Sequence, residues 1–173
     1  MNLESLRLPK LVEADPRGSA LLQRLIDHTQ PIRTGSEISA PVAQLRGLKD
    51  ILQSTHRARR VVRGLESTEQ TLTTEERGLR LADQSTGVTR GGRVSRLILL
   101  ANDGSDGFYR QVENLLKRHN PRVLAIGLDV DAATLGATLF GVGHPARLLM
   151  IQHKAAVAAV LFGVAEQFGN TAP

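Results

Sequence analysis

Cysteine and tryptophan are absent from this sequence of 173 residues, and aromatic side chains are limited to four phenylalanines and one tyrosine. The lack of cysteine excludes disulfide bonds, thiolate metal sites and cysteine nucleophiles. The core must therefore be built from leucine, valine, isoleucine and alanine. Binding of single-stranded nucleic acid by base stacking is disfavoured as well, because that mode requires aromatic platforms.

Long hydrophobic runs are also missing. The longest apolar run, 155–165, has eleven residues including one glycine, whereas a membrane-spanning helix needs about 20. The first 18 residues lack the unbroken apolar core of a secretory signal peptide. We therefore expect a soluble, cytoplasmic protein without a membrane partner, in which 155–165 belongs to a buried helix.

Motifs of common enzyme classes are not found. The five histidines show no metal-ligand spacing such as His-Glu-x-x-His, and no Gly-x-Ser-x-Gly is present. Ser105 falls in a predicted strand-to-helix turn, but no general base accompanies it in the sequence. These absences favour a function that is not enzymatic and that uses no cofactor.

Positive charge is concentrated in one part of the chain. Residues 46–96 hold eleven basic and six acidic side chains, which accounts for the whole net charge of +5. The segments on either side contain equal numbers of the two signs. A local excess of this kind indicates a polyanionic partner, and its alternative is an ordinary solvated face.

The front half is expected to be helical. Residues 1–38 read as a mixed segment with one short helix. From Ser39, apolar residues recur at helical spacing as far as Leu65, so we expect a long helix with Ser39 as its N-cap and Pro41 in its first turn. Residues 39–86 are thus interpreted as a helical basic region.

Basic and polar residues in this region are separated by 3, 4, 3, 4 and 3 positions, which predicts one row along a helix face. Arginine favours phosphate because its guanidinium can donate two parallel hydrogen bonds. The glycine-rich loop at 87–93 adds further arginines. The predicted phosphate contacts are Arg46, Lys49, Arg60, Arg63, Arg90 and Arg93. The competing interpretation is a face that packs on a partner helix.

The C-terminal half alternates between strands and helices. Continuous apolar strands are predicted at 94–101, 122–128 and 147–152, with helices at 108–119, 131–140 and 153–168. Strands that are apolar on both faces and joined by helices are typical of a mostly parallel sheet covered on both sides. Residues 87–173 therefore predict an α/β three-layer sandwich of the βαβαβα type, preceded by the helical front region.

Acidic residues follow the first two of these strands. The turn at 102–107 resembles a phosphate-cradling loop but lacks the spacing of a dinucleotide or P-loop motif. Asp129 and Asp131 follow the second strand and, with Asp103, could share a magnesium ion. That arrangement resembles the Toprim magnesium domains, which implies phosphoryl transfer or nuclease activity. The alternative is that these turn residues cap the helices that follow them.

A further resemblance covers residues 94–168. An apolar strand that ends in an acidic turn, an amphipathic helix, a second strand and the run Leu-Gly-Ala-Thr-Leu-Phe-Gly at 135–141 are similar to the small α/β domain of the kink-turn-binding ribosomal protein family. The family's Leu-Gly-x-x-Leu-Gly has one residue fewer. Its RNA-contacting Gly-x-Asn-Glu segment has no counterpart before the first apolar strand, where this chain has residues 86–92. The resemblance therefore implies the fold and an association with RNA, without contact residues.

Three functional hypotheses result. The first is a non-enzymatic protein that binds nucleic acid, in particular RNA. The second is a Toprim-like magnesium-dependent phosphoryl-transfer or nuclease domain that uses Asp103, Asp129 and Asp131. The third is an assembly protein that forms a homo-oligomer through the long helix or the Ala-rich terminal helix.

Overall fold

The computed structural model describes residues 3–88 and 92–169. The strands are β1 (Thr29–Pro31), β2 (Ser39–Ala43), β3 (Val61–Arg63), β4 (Arg96–Leu100), β5 (Val123–Leu128) and β6 (Leu148–Ile151). The helices are α1 (Lys10–Glu13), α2 (Gly18–Asp27), α3 (Lys49–Arg57), α4 (Leu65–Thr86), α5 (Asp106–Arg118), α6 (Ala132–Phe140) and α7 (Lys154–Gly169). Short 3-10 turns occupy Leu3–Ser5 and Leu45–Gly47. The predicted α/β class is confirmed.

The six described strands form one mixed sheet in the order β1-β2-β5-β4-β6-β3. Its centre is parallel, since β5 pairs in parallel with both β2 and β4. The pairings of β1 with β2, β6 with β4 and β3 with β6 are antiparallel. The small sheet expected from the C-terminal half is therefore mixed rather than mostly parallel, because β6 runs antiparallel to β4, and it is extended by three strands of the front half.

The long helix predicted from Ser39 is wrong. Residues 39–43 form β2, where Ala40, Pro41 and Ala43 are buried. Pro41, opposite Thr29 of β1, fits a strand at a position where no amide is required. Pairing with β1 and β5 thus outweighs a helical spacing whose residues belong to five separate elements, from β2 to α4.

Helices cover both faces of the sheet, as the sandwich prediction requires. Alternate residues of each strand point to opposite faces. Leu97 and Leu99 of β4 pack into a core shared with α1, α2, α3, α6 and α7. Ile98 and Leu100 pack into a second core shared with α4 and α5. We call these the five-helix layer and the two-helix layer.

The Ala-rich helix α7 is buried, as predicted. Val157, Val160, Leu161 and Val164 have no exposed surface, and α7 contacts α1, α2, α3 and β4. The surface that the assembly hypothesis assigned to a second subunit is therefore occupied by the chain itself. None of the helices in the described ranges combines the length and the apolar character that crossing a membrane demands.

Candidate functional site

The basic row predicted for one helix is divided among several elements. Arg46 lies in the turn Leu45–Gly47, Lys49 begins α3, Arg60 follows α3 and Arg63 ends β3. The single-face interpretation is therefore wrong. A spacing of three and four defines a face only within a helix, and here it continues through a turn and a strand.

Cations nevertheless gather around α3. Arg46, Lys49, Arg57 and Arg59 are exposed and Arg60 is half-buried. None of these side chains makes a hydrogen bond or an ion pair with another residue in 3–88 or 92–169. We call them the basic surface. The segment 46–63 contains one acidic residue, Asp50, so this charge is not neutralised locally.

Two members of the basic surface were missed by sequence reasoning. Arg57 and Arg59 do not fit the spacing of the predicted row and were therefore left out. The available signal was the run Arg-Ala-Arg-Arg at 57–60, directly after the apolar residues of α3. Lys49 and Arg57 are eight residues apart in α3, so they share its exposed side and lie roughly 12 Å apart along its axis.

Two of the predicted phosphate contacts, Arg63 and Arg93, do not join this surface. The Nη2 atom of Arg63 donates to the carbonyl of Pro145 at 2.5 Å, and its guanidinium lies 4.9 Å from the centre of the Phe140 ring. Arg93 donates to the carbonyl of Leu8 at 3.0 Å and to the carboxylate of Glu13.

The hydrogen bond from Arg93 lowers the pKa of Glu13 below its ordinary value, so the pair is charged and closed at neutral pH. Both guanidinium groups thus bind the chain itself, and the role of Arg63 and Arg93 as phosphate contacts stays a prediction. Arg90 lies outside the described residues.

Arg59 has an unusual backbone conformation, with a φ of 57°. The amide of Arg60 donates to the carbonyl of Thr55 at 3.1 Å, and the amide of Arg59 donates to that of His56 at 2.9 Å. These two bonds define a Schellman motif at the end of α3, in which the left-handed position is normally glycine. An arginine therefore occupies a position where it strains the backbone.

The predicted metal ligands have other partners. Asp131 caps α6 by accepting from the amide of Thr134 at 2.7 Å, and hydrogen bonds from Thr134 lower the pKa of Asp131. Asp103 accepts from the amide of Ala132 at 2.9 Å. Both carboxylates thus neutralise the positive end of α6.

Asp129 has a different partner, because its Oδ1 accepts from the Asn102 side chain at 3.3 Å. Across the described ranges, no three histidine, aspartate or glutamate side chains are grouped to hold a metal ion. The capping alternative holds for Asp131, and the magnesium interpretation of Asp103, Asp129 and Asp131 stays a prediction. Ser105 caps α5 in the same way, accepting from the amide of Phe108 at 3.1 Å.

A cleft of about 480 Å³ opens at the carboxyl ends of β4 and β5. The chain leaves β4 toward α5 in the two-helix layer and leaves β5 toward α6 in the five-helix layer. Adjacent parallel strands whose connections leave to opposite faces form the usual ligand crevice of α/β sheets. The floor is apolar, with Leu100, Val42 and Gly127, and the rim carries Asn102 and Asp129.

The opposite side of the cleft is formed by the segment after β1. Arg33 reaches from this segment to Glu113 of α5 at 3.1 Å, and Ser36 donates to the same carboxylate. Burial raises the pKa of Glu113, but the hydrogen bonds from Ser36 and Arg33 outweigh it, so the net pKa lies below its ordinary value. Arg33 is therefore a fixed part of the cleft wall.

No family model matches the chain, and no curated protein matches it either. The chain is similar to a solved structure of a protein of unknown function from Bacillus halodurans. The identity is 14% and the TM-score 0.45, over 70% of this chain and 97% of that chain. The resemblance of residues 94–168 to the kink-turn-binding ribosomal family stays a prediction.

Proposed function

We propose that this chain is a non-enzymatic RNA-binding protein that holds structured RNA on the basic surface around α3. The observation that carries the proposal is the set of cations with no internal partner in the described ranges: Arg46, Lys49, Arg57, Arg59 and Arg60. Arg57, Arg59 and Arg60 are near neighbours in the chain at the end of α3, and like charges so placed repel each other unless an anion neutralises them.

The chemistry of the surface favours phosphate. Four of its five members are arginines, whose planar guanidinium groups match phosphate oxygens in a bidentate geometry. Salt bridges within the described chain do not compete for them, so their donors are open to a ligand. Release of counterions from the polyanion then supplies the binding free energy.

The low aromatic content of the chain favours structured RNA over single-stranded RNA as the partner. Stacking on unpaired bases needs aromatic side chains, and aromatic residues make up 3% of the chain. Double-stranded or folded RNA is recognised through phosphates, 2′-hydroxyls and shape, which does not require stacking. The sequence resemblance of residues 94–168 to the kink-turn-binding ribosomal family supports the same class of partner.

The test is binding of a fluorescently labelled RNA stem-loop, followed by anisotropy at several salt concentrations. We expect the affinity to fall linearly with salt on a double logarithmic plot, with a slope that grows with the number of phosphates contacted. The double variant Arg57→Glu/Arg60→Glu is expected to weaken binding by about a hundredfold or more at low salt. A duplex DNA of equal length distinguishes RNA recognition from binding of any polyanion.

A matched variant controls for net charge. Lys10→Glu/Arg77→Glu changes the total charge equally at exposed positions, on α1 and α4. This control should retain most of the affinity, because the lost charges lie outside the basic surface. Equal losses in the two double variants would show that binding follows net charge and would refute the assignment of this surface. DNA bound as tightly as RNA would refute RNA as the specific partner.

A further inference from the structure

We propose that the cleft at the carboxyl ends of β4 and β5 binds a ribonucleoside, with Asp129 and Asn102 holding the ribose hydroxyls. This inference is independent of RNA binding at the basic surface. It rests on the shape of the cleft, on a polar pair at its rim and on a buried arginine atom that lacks a hydrogen-bond acceptor.

The cleft has the size and lining of a small-molecule site. Its volume of about 480 Å³ falls within the range of roughly 300–1,000 Å³ that is usual for such sites. Leu100 and Val42 give it an apolar floor, and Gly127 adds no side chain there. A planar base would bury its apolar faces against this floor, as ligands of mostly apolar pockets do.

The rim beside β5 is suited to hydroxyl groups. Asp129 is exposed and directly follows β5, and its Oδ1 accepts from the Asn102 amide at 3.3 Å. Its other carboxylate oxygen has no partner among the described residues. A carboxylate at the end of the second strand of a strand-helix-strand unit is in position to accept from ribose hydroxyls.

Arg33 supplies an unsatisfied donor on the opposite wall. Its Nη2 binds Glu113 at 3.1 Å, and its Nη1 donates to the carbonyl of Thr34 at 3.2 Å. Its Nε is buried and has no acceptor in the described chain. A buried donor without an acceptor is unfavourable, and a carbonyl or ring nitrogen of a base would satisfy it if binding drew this edge of the guanidinium, whose side chain is 20% exposed, toward the cleft.

The charges around the cleft favour a nucleoside over a nucleotide. Asp106 lies at the start of α5, where a phosphate would otherwise be attracted by the helix dipole. Arg33 contacts Asp106 at 3.5 Å as well as Glu113, so its positive charge is already neutralised. A phosphate would meet the carboxylates of Asp106 and Asp129 without a free cation to offset them.

The experiment is titration of the full chain with adenosine, guanosine, cytidine and uridine, followed by calorimetry and by ligand-observed NMR. We expect at least one of the four to bind with a dissociation constant below about 1 mM. Its 2′-deoxy form should bind about tenfold more weakly, because it loses a hydrogen bond to a carboxylate. The 5′-monophosphate should bind more weakly than the nucleoside.

Variants locate the site. Asp129→Asn and Asn102→Ala should each weaken binding by about tenfold, while Asp50→Asn, which removes an exposed carboxylate from α3, should not change it. Circular dichroism verifies that each variant is folded. The proposal is overturned if none of the four nucleosides binds at about 5 mM, if the deoxy form binds equally well, or if Asp129→Asn binds like the wild type.

Discussion

The arginines of the two-helix layer and the cations around α3 have opposite surroundings. In the two-helix layer, Glu75 of α4 accepts from both Arg96 and Arg122, at 2.9 and 2.5 Å. Arg118 of α5 contacts Glu69 of α4 in the same layer. Around α3, in the five-helix layer, the cations of the basic surface have no such partners among the described residues.

The arginines of the first group form ion pairs inside the fold, whereas the donors of the second group are open to a ligand. Ion pairs between α4, α5 and the strands connect elements that share only a narrow apolar contact, since α4 buries just Thr68 and Leu72. Around α3, by contrast, Leu48 and Leu52 are buried in the core, and the cations of the basic surface form no ion pair with another described residue. The proposed RNA binding would use the second group of charges, whereas the first group contributes to stability.

The largest effect is expected for Gly136→Ala in the five-helix layer. A Cβ atom at this position would lie 1.9 Å from the carbonyl oxygen of His144 and 2.6 Å from the Cα of Pro145. Both are backbone atoms that cannot rotate away, so α6 must separate from the segment before β6. We expect the free energy of unfolding to fall by about 3 kcal/mol, measured by urea denaturation.

Gly78→Ala is the matched control for this substitution. Gly78 lies in the middle of α4, and a Cβ atom there would have no neighbour within 4 Å. Alanine should stabilise the helix by about 0.5–1 kcal/mol. A loss of stability in Gly78→Ala, or none in Gly136→Ala, would contradict the contrast between a close-packed layer and an open one.

The second prediction concerns the ion pairs of the two-helix layer. Glu75→Gln leaves Arg96 and Arg122 without a carboxylate, although both side chains are about one-fifth exposed, at 21% and 19%. Because the arginines are largely removed from water, we expect a loss of about 2 kcal/mol by urea denaturation. Glu37→Gln breaks an exposed pair with Lys117 and should change stability by less than about 0.5 kcal/mol. Equal effects would show that burial does not distinguish the two pairs.

The third prediction is a pH dependence that arises from His119 in the two-helix layer. Its side chain is 1% exposed, and burial lowers its pKa below the ordinary value of 6.5, although Glu76 at 3.2 Å acts in the opposite direction. The unfolded chain therefore takes up a proton near pH 6.5 while the folded chain does not. Stability should be constant above about pH 7 and fall as the pH decreases below about 6.5.

Unfolding by urea at a series of pH values measures this dependence. His119→Leu should remove the fall between about pH 6.5 and 5.5, and His144→Asn, at an exposed position, should retain it. Glu113 does not interfere, because its pKa lies below 4.5 and its contribution is lost only at lower pH. A fall that persists in His119→Leu would assign the effect to another group.

The C-terminal elements of both layers could be predicted closely from the sequence. The helix expected at 131–140 is α6 (Ala132–Phe140), and the strand expected at 122–128 is β5 (Val123–Leu128). Continuous apolar strands and capped helices are local signals, so each element can be identified without its neighbours.

The front half could not be predicted because its strands depend on distant partners. β2 pairs with β5 and β3 pairs with β6, each more than 80 residues further along the chain. The three-residue strand β3 carries no period of its own, so the helical spacing of nearby apolar residues was misleading. A pairing of this kind is set by tertiary contacts rather than by propensity.

The candidate sites were predictable only in part. The charge excess after residue 46 was visible, and it identified three of the five members of the basic surface. The cleft was not predicted, because Arg33 and Asp129 are distant in the sequence and line the same cleft only once β2 pairs with β5. The role of Asp103 at the start of α6 likewise depends on a contact across 29 residues.

The smallest effect is expected at Arg59, where stability and binding should change in opposite directions. With a φ of 57°, Arg59 occupies a position that glycine adopts without strain. Arg59→Gly should raise the free energy of unfolding by about 0.5–1 kcal/mol, while the lost guanidinium weakens RNA binding several-fold. Arg59→Ala removes the guanidinium but keeps a Cβ atom, so it should weaken binding equally without the gain in stability.

Urea denaturation and the anisotropy titration, performed on both variants, separate the two effects. If glycine stabilises the chain and RNA affinity is unchanged, the strain at Arg59 serves no contact with RNA, and the basic surface loses a member.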